Sequence, residues 1–580
     1  MFIPATPDEM RRMGWQRPDV ILVSGDTYID SSYNGTAVIG HWLMKHGFKV
    51  AIIAQHDINN DDIERFGEPE LFWSVSAGCV DSMVANYTAT GKFRKDDDFT
   101  PGSLNNRRPD RACITYVNLI KKHFKGNMIV LGGLEASLRR IAHYDFWSDS
   151  VRRSILFDAK ADVITYGMSE RSNLELAHAV SKGMEWRDIR GLCHISKEKK
   201  DGFVELPGYE ECSADTDAFI KAFRLFYYNN DPHYAKGLVQ RHGDRYLVQN
   251  PPFDMDSETL DMIYGMDFEN RVHPFYLKQG SVKAMETIKQ SITTHRGCYG
   301  ECNFCSIAVH QGRTVISRNE DSIVKEAERI AGTKGFNGII YDVGGPTANM
   351  YGIECLTKER EGACRNRRCL YPNVCENMSP DHSAQIRLLD RVSKVDGVKR
   401  VFVNSGIRYD MVIADGEHGM EYLDAIVKNH VSGQMKIAPE HTSDEVLALM
   451  GKPGKKALMH FKQMFMESNE KTGKEQFLTY YFMAAHPGCY EHHMHELNDF
   501  IHTRLKTNPE QVQIFTPTPS TMSTLMYHTR RDPDNRRDLK SEHSMQMKQK
   551  QKDIILKSNQ SLSKRKFKNG ASDSPIQKNS

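Results

Sequence analysis

Three cysteines within eight residues could together hold a metal cluster. Cys298, Cys302 and Cys305 are spaced C-x3-C-x2-C, and the aromatic Phe304 stands just before the last of them. Three thiolates at this spacing can bind three irons of a cubane iron–sulfur cluster and leave the fourth iron without a protein ligand. The vacant position is open to a second molecule, so the loop predicts a reaction centre.

Zinc offers an alternative interpretation of the same loop. Zinc also takes thiolate ligands, so three close cysteines could be half of a zinc site, or simply reactive thiols. Structural zinc sites usually show C-x2-4-C pairs, whereas Gly300 and Phe304 here shape a loop with an odd third cysteine. The cluster interpretation is favoured once the motifs further along the chain are counted.

The cysteine spacing and the aromatic resemble the signature of the radical S-adenosylmethionine (radical SAM) superfamily. In that superfamily the open iron of a [4Fe-4S] cluster binds S-adenosylmethionine (SAM), and an electron from the cluster starts radical chemistry. The resemblance implies these two cofactors. It also implies that the protein binds and orients the reactants and excludes water from them. The residues that we expect at the cofactors are Phe304, Gly344, Gly345, Pro346, Thr347, Ser405 and Arg408.

Each of these expectations has a local reason. The paired glycines of Gly344–Thr347 would let backbone groups approach a ligand closely, although a plain turn explains them too. Ser405 offers a hydroxyl to a ribose, and the Arg408 guanidinium could hold the SAM carboxylate bidentately. Glu440 and His441 follow another strand candidate, and they are weak candidates for a general acid or base.

A second group of cysteines lies in a turn-rich and arginine-rich stretch. It consists of Cys355, Cys364, Cys369 and Cys375. Four thiolates can close a metal shell completely, whether the metal is structural zinc or a second iron–sulfur cluster. We expect a second metal site here, and the sequence leaves its metal open.

The first part of the chain alternates short apolar runs with helical stretches. The runs cover residues 19–25, 49–54, 71–76, 127–131 and 161–166. The pattern predicts a doubly wound α/β sheet over residues 1–180, which binds ligands beyond the carboxyl ends of its strands. It looks like the cobalamin-binding-like domain that precedes many radical SAM cores, but the turn at residues 25–30 has no histidine. We therefore expect no histidine-ligated cobalamin.

The second half predicts a partial (β/α)6 barrel of the TIM type over residues 281–530, with a cysteine-rich insertion at 355–375. Barrels of this kind place reactive groups at the carboxyl ends of their strands. A less regular connector is expected over residues 181–280. The Lys- and Gln-rich residues 531–580 predict a disordered basic tail.

Taken in order, these motifs resemble the YgiQ family of radical SAM proteins. The similarity runs from near residue 3 to near residue 530, and it includes Ala438–His441 and His486–Gly488. It implies a [4Fe-4S] cluster, SAM and catalytic activity without naming a substrate. A small electron-donor protein of the flavodoxin or ferredoxin type is the expected partner.

Two other functions stay open at the level of sequence. The barrel half is also similar to methylthiotransferases that modify RNA or ribosomal protein, although Cys79, Cys113, Cys193 and Cys212 are scattered. A non-catalytic, zinc-stabilised module could hold RNA through the basic tail and the arginine–aromatic segment 139–153, but we favour a buried interface for that segment. The net charge of +2 gives no global attraction to nucleic acid.

The sequence contains neither a secretory signal nor an apolar run of membrane-spanning length. We expect a cytoplasmic protein. In a reducing compartment the twelve cysteines point to metal binding or catalysis, because they would not form disulfides.

Overall fold

A computed structural model gives the fold, and it describes residues 1–58, 60, 62–509, 511–534 and 537–569. The strands of the N-terminal part are β1 (Val20–Ser24), β2 (Ile29–Asp30), β3 (Val50–Ala54), β4 (Phe72–Ser76), β5 (Met128–Gly132), β6 (His143–Asp145), β7 (Ser150–Arg152), β8 (Val163–Thr165), β9 (Leu192–Ser196), β10 (Val204–Leu206), β11 (Leu238–His242), β12 (Arg245–Gln249) and β13 (Arg271–Val272). Its helices are α1 (Pro7–Arg12), α2 (Gly35–Lys45), α3 (Ser82–Asn86), α4 (Ala112–His123), α5 (Gly133–Leu138), α6 (Ile155–Ala159), α7 (Glu170–Ser181), α8 (Tyr209–Ala214), α9 (Thr216–Tyr227), α10 (Ser257–Tyr264), α11 (Pro274–Leu277) and α12 (Met285–Ile288).

Nine strands in this described part form one sheet in the order β10-β11-β12-β9-β8-β5-β4-β1-β3. Five of them, β3-β1-β4-β5-β8, run parallel. In chain order these five strands lie 2-1-3-4-5, which is a doubly wound arrangement with its switch point between β1 and β4. Ligands of such sheets bind at the switch point.

Both faces of the parallel strands are buried because their residues alternate between two apolar cores. Ile21 and Val23 face one core, and Val20 and Leu22 face the other. Buried strands of this kind are apolar throughout, which is why they were recognisable in the sequence. The doubly wound prediction is confirmed.

The sheet is longer than the sequence indicates. A less regular connector is expected over residues 181–280, but β9–β12 of that segment extend the sheet, with β9, β12 and β11 in antiparallel pairing and β10 parallel to β11. The expectation of a connector is therefore wrong for residues 192–249. The remainder carries α10–α12 and leads into the barrel.

The strands of the second half are β14 (Ser291–Thr293), β15 (His295–Arg296), β16 (Ile316–Ser317), β17 (Ile339–Ile340), β18 (Asp342–Gly344), β19 (Arg400–Val401), β20 (Gln434–Glu440), β21 (Phe477–Ala484) and β22 (Gln511–Ile514). Its helices are α13 (Ile307–His310), α14 (Glu320–Ala331), α15 (Leu356–Glu361), α16 (Ser383–Ser393), α17 (Tyr409–Ala414), α18 (Gly419–Ala425), α19 (Asp444–Met450), α20 (Lys455–Thr472), α21 (Glu491–Phe500), α22 (Met522–Thr529) and α23 (Met545–Asn569).

The second half is an open barrel of parallel strands, beside which β15 and β16 form a short antiparallel pair. β14 pairs with β18, β17 pairs with β19, and β20, β21 and β22 pair in order. A single bridge between Ile407 and Ile437 joins the two groups of strands. Counting β17 and β18 as one interrupted strand, the described residues give six parallel strands, as the partial (β/α)6 prediction requires.

Helix α23 contradicts the prediction of a disordered tail for residues 545–569. Helix α23 begins at Met545, and its residues Lys548, Gln551 and Ile555 are buried. Ile555 belongs to the barrel core. Residues 570–580 lie outside the described part of the chain. Along the described residues no helix is long and apolar enough to cross a membrane.

Candidate active site

The cysteine loop leaves β15 and turns around Gly300. A Cβ atom at position 300 would lie 3.3 Å from Cys298 Sγ and 3.7 Å from Cys302 Sγ, so a glycine keeps the space between the two sulfurs clear. The Gly300 N–H donates to Cys298 Sγ at 3.3 Å. Burial and the neighbouring Cys302 and Cys298 raise the pKa of Cys305 to about 12. The three thiols thus share one half-buried space.

Arg408 lies directly behind this space. Its Nη1 donates to Cys302 Sγ at 3.4 Å, while Nε and Nη2 donate to the two carboxylate oxygens of Asp410 at 2.8 and 2.5 Å. The forked side of the guanidinium is therefore already occupied. This arrangement speaks against the predicted bidentate grip on a SAM carboxylate and makes Arg408 a cationic neighbour of the sulfurs.

The glycine turn after β18 joins the cysteine loop to a cavity of about 460 Å³. Gly344, Gly345 and Pro346 line the cavity, and Thr347 Oγ1 lies 3.6 Å from Cys298 Sγ. A Cβ atom at Gly345 would lie 2.6 Å from the His295 ring. The turn can approach a ligand closely because it carries no side chain here.

Ser405 also lines the cavity, and Asp342 holds it in place. The Ser405 hydroxyl donates to Asp342, whose other oxygen accepts from the N–H groups of Asn404 and Ser405 at 2.8 and 3.1 Å. The serine oxygen keeps its capacity to accept a hydrogen bond from a ribose hydroxyl. Its predicted role stays a prediction.

The opposite wall of the cavity comes from the N-terminal sheet. Ser76, Gly132 and Thr165, at the carboxyl ends of β4, β5 and β8, line it together with residues of α2 and α7. These strand ends adjoin the switch point of the sheet. The site is therefore shared between the two halves of the chain.

One buried ion pair joins the two halves beside the cavity, and a second lies within the N-terminal half. Arg296, two residues before Cys298, pairs with Glu170 of α7 at 2.7 Å, and both side chains are buried. In the turn at residues 25–30, buried Asp26 pairs with Arg108 at 2.6 Å. Breaking a buried ion pair is costly, so these contacts fix the geometry of the cavity.

Comparison with known proteins places the chain in a family. A family model described as Radical SAM N-terminal matches residues 2–291. A UPF0313 protein of Fusobacterium nucleatum subsp. nucleatum is 57% identical over 558 residues, covering 96% of this chain and 98% of that protein. The chain belongs to the UPF0313 family. A UPF0313 protein of Thermotoga petrophila is 46% identical over 561 residues, with the same coverage of 96% and 98%.

One solved structure shows a distant similarity. The radical SAM methyltransferase TsrM from Kitasatospora setae, with cobalamin and a [4Fe-4S] cluster bound, is 13% identical, with a TM-score of 0.49. The match covers 87% of this chain and 73% of that chain.

This UPF0313 family member is a radical SAM enzyme, and its cofactors are a [4Fe-4S] cluster and SAM. Cys298, Cys302 and Cys305 fit the cluster because the sulfurs of Cys298 and Cys302 flank Gly300 and both thiols lie close enough to Cys305 to raise its pKa. The turn at Gly344–Thr347 fits SAM because it joins that space to the cavity. The expected cofactors and family are thus confirmed, while the individual ligand residues stay predictions supported by this geometry.

Glu440 faces the cysteine loop, as the sequence suggests. It ends β20 with a φ of +68°, a conformation that residues other than glycine rarely adopt. Burial raises the pKa of its carboxyl to about 7, although Lys452 and Arg408 oppose the shift. Strained backbone and a carboxyl that titrates near neutrality are typical of functional positions.

His441 points away from the site, although it is the next residue. Its Nδ1 accepts from the N–H groups of Thr442 and Ser443 at 2.9 and 3.0 Å, just before α19. Burial lowers the pKa of the ring to about 3. These contacts favour a structural role in the turn, and the acid–base role of His441 stays a prediction that its geometry does not support.

Phe304 lies at the edge of the site. Its ring meets the ring of His486 edge-on, with centroids 6.5 Å apart, and it packs against the cores of both halves. His486 is buried, and its Nε2 lies 2.7 Å from Ser523 Oγ. The motif His486–Gly488 therefore begins beside Phe304, next to the cysteine loop.

The second cysteine group is not assembled like the first. Cys369 lies near Cys355 and Lys358, whereas Arg367 lies near Cys375 and Cys364. Across the part of the chain that the structure describes, no group of three or more His, Cys, Asp or Glu side chains surrounds a single-ion position. The ligands of a cubane cluster lie further apart than those of a single ion. The observation therefore argues mainly against a zinc site. The second metal site stays a prediction.

The arginine–aromatic segment 139–153 forms an interface inside the protein. Arg140 is fully buried between the rings of Tyr166 and Phe226, and Phe146 packs against Tyr527 of α22. Its charged side chains find partners elsewhere: Asp145 pairs with Arg111 at 2.8 Å, Arg139 pairs with Asp81, and Arg152 pairs with Asp158. Asp149 accepts from the Tyr144 hydroxyl at 2.6 Å.

Sequence reasoning missed Asp342, Asp410 and the Glu170–Arg296 pair. Asp342 and Asp410 stand within a few residues of predicted site residues, and a carboxylate so close to a predicted site was a usable signal. The Glu170–Arg296 pair spans 126 positions. Nothing in a single sequence links residues so far apart.

Proposed function

We propose that this protein carries out radical chemistry on a small molecule that occupies the cavity between its two halves. The observation that carries the proposal is the cavity of about 460 Å³, which touches both the Gly344–Pro346 turn and the strand ends of the N-terminal sheet. When bound, the cluster and SAM supply one-electron cleavage of a carbon–sulfur bond. The chain itself must bind, orient and shield the reactants.

The wall opposite the glycine turn supports a substrate that donates hydrogen bonds. Glu170 Oε2 and Asn173 Oδ1 are buried there, and neither has a partner among the described residues. The Asn173 amide is fixed with its oxygen free, because its Nδ2 donates to Ser169 O at 2.8 Å and to Thr165 Oγ1 at 3.2 Å. Unpaired buried acceptors are costly. An amine, amide or hydroxyl group of the substrate would satisfy them.

Glu440 is the proton-handling group that we propose beside the cysteine loop. Its carboxyl can hold or release a proton near neutral pH, because burial raises its pKa to about 7. Arg408 and Lys452 hold positive charge nearby and keep the carboxylate form accessible.

Anaerobic reconstitution tests the proposal. The reduced protein should form 5′-deoxyadenosine from SAM, and the low-molecular-mass fraction of a cell extract should stimulate the reaction more than the macromolecular fraction. An Ile39→Trp variant, which fills the N-terminal wall, should lose about tenfold or more of that stimulation and keep its full iron content. Stimulation by the macromolecular fraction alone would sink the small-molecule proposal.

We also propose that an acidic one-electron carrier docks beside the cysteine loop. Arg365 and Arg367 are exposed, and Arg368 Nη1 donates to the carbonyl of Glu301 within the loop at 3.4 Å. Complementary charge steers such encounters and weakens with salt. Arg365→Glu with Arg367→Glu should slow reduction by a flavodoxin but leave reduction by dithionite unchanged. Equal rates with flavodoxin would contradict this docking surface.

Methylthiolation is not the function that we propose. Cys113, Cys193 and Cys212 are buried in the apolar core of the N-terminal part, apart from one another along the sheet and its helices, and Cys79 lies at the cavity. All twelve cysteines, each within the described residues, are free of disulfides. We propose a reducing compartment, the cytoplasm, on that ground.

A further inference from the structure

Helix α23 reaches the active-site wall through one buried glutamine. Gln551 is 2% exposed, and its Oε1 accepts from the Ala485 N–H at 2.9 Å. Its Nε2 lies 3.5 Å from the carbonyl of Cys489 and donates to it. The two contacts span both ends of the loop Ala485–Cys489, which follows β21 at the mouth of the barrel.

The loop needs such support because its first residue is strained. Ala485 has a φ of +59°, which residues with a Cβ rarely adopt. It is also fully buried, so its N–H must find a partner within the protein. Strand β22 pairs with Ala484, one residue earlier, and Gln551 is the partner of the next N–H.

The loop continues directly to the cysteines. His486 follows Ala485, and its ring lies against Phe515, with centroids 5.3 Å apart, and against the edge of Phe304. Phe304 precedes Cys305. A packed chain of contacts therefore runs from Gln551 through Ala485, His486 and Phe304 to the third cysteine.

Lys548, one turn earlier, fixes the helix itself. Its side chain is fully buried, its Nζ donates to the Tyr527 hydroxyl at 2.9 Å, and it lies 4.5 Å from the centre of the Phe146 ring. Phe146 belongs to the N-terminal half and Tyr527 to α22. The helix is thereby anchored to both halves of the chain.

We propose that Gln551 is a positioning residue for the SAM-cleaving site: its side-chain amide clamps the strained Ala485–Cys489 loop, and the loop holds Phe304 and Cys305 in place. Gln551 itself touches neither cofactor nor substrate. The proposal depends on the radical SAM site alone, and it holds whichever molecule occupies the cavity. Its failure would leave the proposed function untouched.

Three variants test the clamp. Gln551→Leu keeps the volume and removes both hydrogen bonds, Gln551→Glu keeps the acceptor for Ala485, and Gln549→Leu is the control. Gln549 lies in the same helix, and its Nε2 donates to Asp553 within that helix at 2.8 Å. Any effect of Gln549→Leu therefore reports on the stability of helix α23 itself and not on the loop.

The first readout needs no cofactor. In the metal-free chain, amide hydrogen exchange of a peptide covering Ala485–Cys489 should rise about tenfold in Gln551→Leu and stay near wild type in Gln551→Glu and Gln549→Leu. In the reconstituted protein, only Gln551→Leu should broaden the electron paramagnetic resonance signal of the reduced cluster. The same variant should raise KM for SAM more than it lowers kcat.

Two outcomes would overturn the proposal. Unchanged exchange of the loop in Gln551→Leu would mean that the loop keeps its conformation without the amide. An equal rise of exchange along the whole of α23 would mean that Gln551 serves its own helix and not the loop. Recovery in Gln551→Glu separates the acceptor on Ala485 from mere filling of space.

Discussion

The two cysteine groups lie side by side, yet they are organised differently. Cys298 and Cys302 flank Gly300, and a guanidinium reaches one of their sulfurs. In the second group, Cys369 is buried against Tyr299 of the cysteine loop, whereas Cys375 is half-exposed next to Arg367. Close spacing around a glycine brings sulfurs together, whereas longer spacings of four to eight residues do not by themselves.

The largest effect is expected when one thiol is removed from each cysteine group in a separate variant. Cys302→Ala should abolish formation of 5′-deoxyadenosine and most cluster iron, because the open cubane loses one of three ligands. Cys364→Ala should keep SAM cleavage within about twofold of wild type. Iron, sulfide and zinc analysis of both variants measures the difference. Equal loss in the two variants would show that the groups form one functional unit.

The next largest effect is expected at Arg408 and Asp410, which lie behind the cysteine loop. Asp410→Ala leaves the buried Arg408 unpaired, and we expect it to lower the free energy of unfolding by about 3–5 kcal/mol. The double variant Arg408→Met with Asp410→Leu should recover most of that stability and still bind the cluster poorly. Chemical denaturation measures both. Full cluster binding by the double variant would show that the cation is dispensable.

A smaller effect is expected at the glycine turn. Gly345→Ala adds a methyl group 2.6 Å from the His295 ring, so we expect a loss of about 1–3 kcal/mol of stability and weaker SAM binding. Gly406→Ala is the matched control, because its Cβ would meet no atom within 4 Å. Equilibrium SAM binding compares the two. Similar affinities would place SAM elsewhere than at the turn.

The smallest effect concerns reactivity in the second group. Burial would raise the pKa of the Cys375 thiol, but the hydrogen bond from Arg367 and backbone N–H groups lower it below the ordinary value. In metal-free protein Cys375 should therefore alkylate faster near pH 7.5 than buried Cys369, whose pKa burial raises to about 11.

The substitution Arg367→Ala should weaken that preference. Without the cation the thiolate of Cys375 is less stable, its pKa rises, and alkylation at fixed pH slows severalfold. Mass spectrometry of the alkylated peptides gives the rates. Protection of Cys375 in the wild-type protein as purified, reversed by a chelator, would instead indicate a metal at this group.

The parallel strands were predictable because buried strands are apolar on both faces, as Val20–Val23 shows. The antiparallel strands β11 and β12 were not. Each has only two or three consecutive apolar residues beside polar ones, without regular alternation, on either side of a tight turn at Gly243, which has a φ of +64°. Helix α23 was missed for a related reason, since two of its buried residues, Lys548 and Gln551, are polar.

The site was predictable where the chemistry is local. Cys298, Cys302 and Gly345 stand at fixed offsets within short motifs, so their convergence follows from the strand ends that carry them. Side-chain direction was not predictable: Glu440 turns toward the cysteines and His441 away, because the backbone at Glu440 adopts a positive φ. Arg408 finds its partner in Asp410, only two residues on.

The division of the cavity wall between two sheets has an evolutionary consequence. The half that carries Gly345 and the cysteines must keep the residues that bind the cluster and SAM. Residues such as Ile39 and Ser76, contributed by the other half, face the same space without that obligation. We therefore expect substitutions at these residues to change which substrate the cavity binds. The cysteine loop and the glycine turn would stay the same.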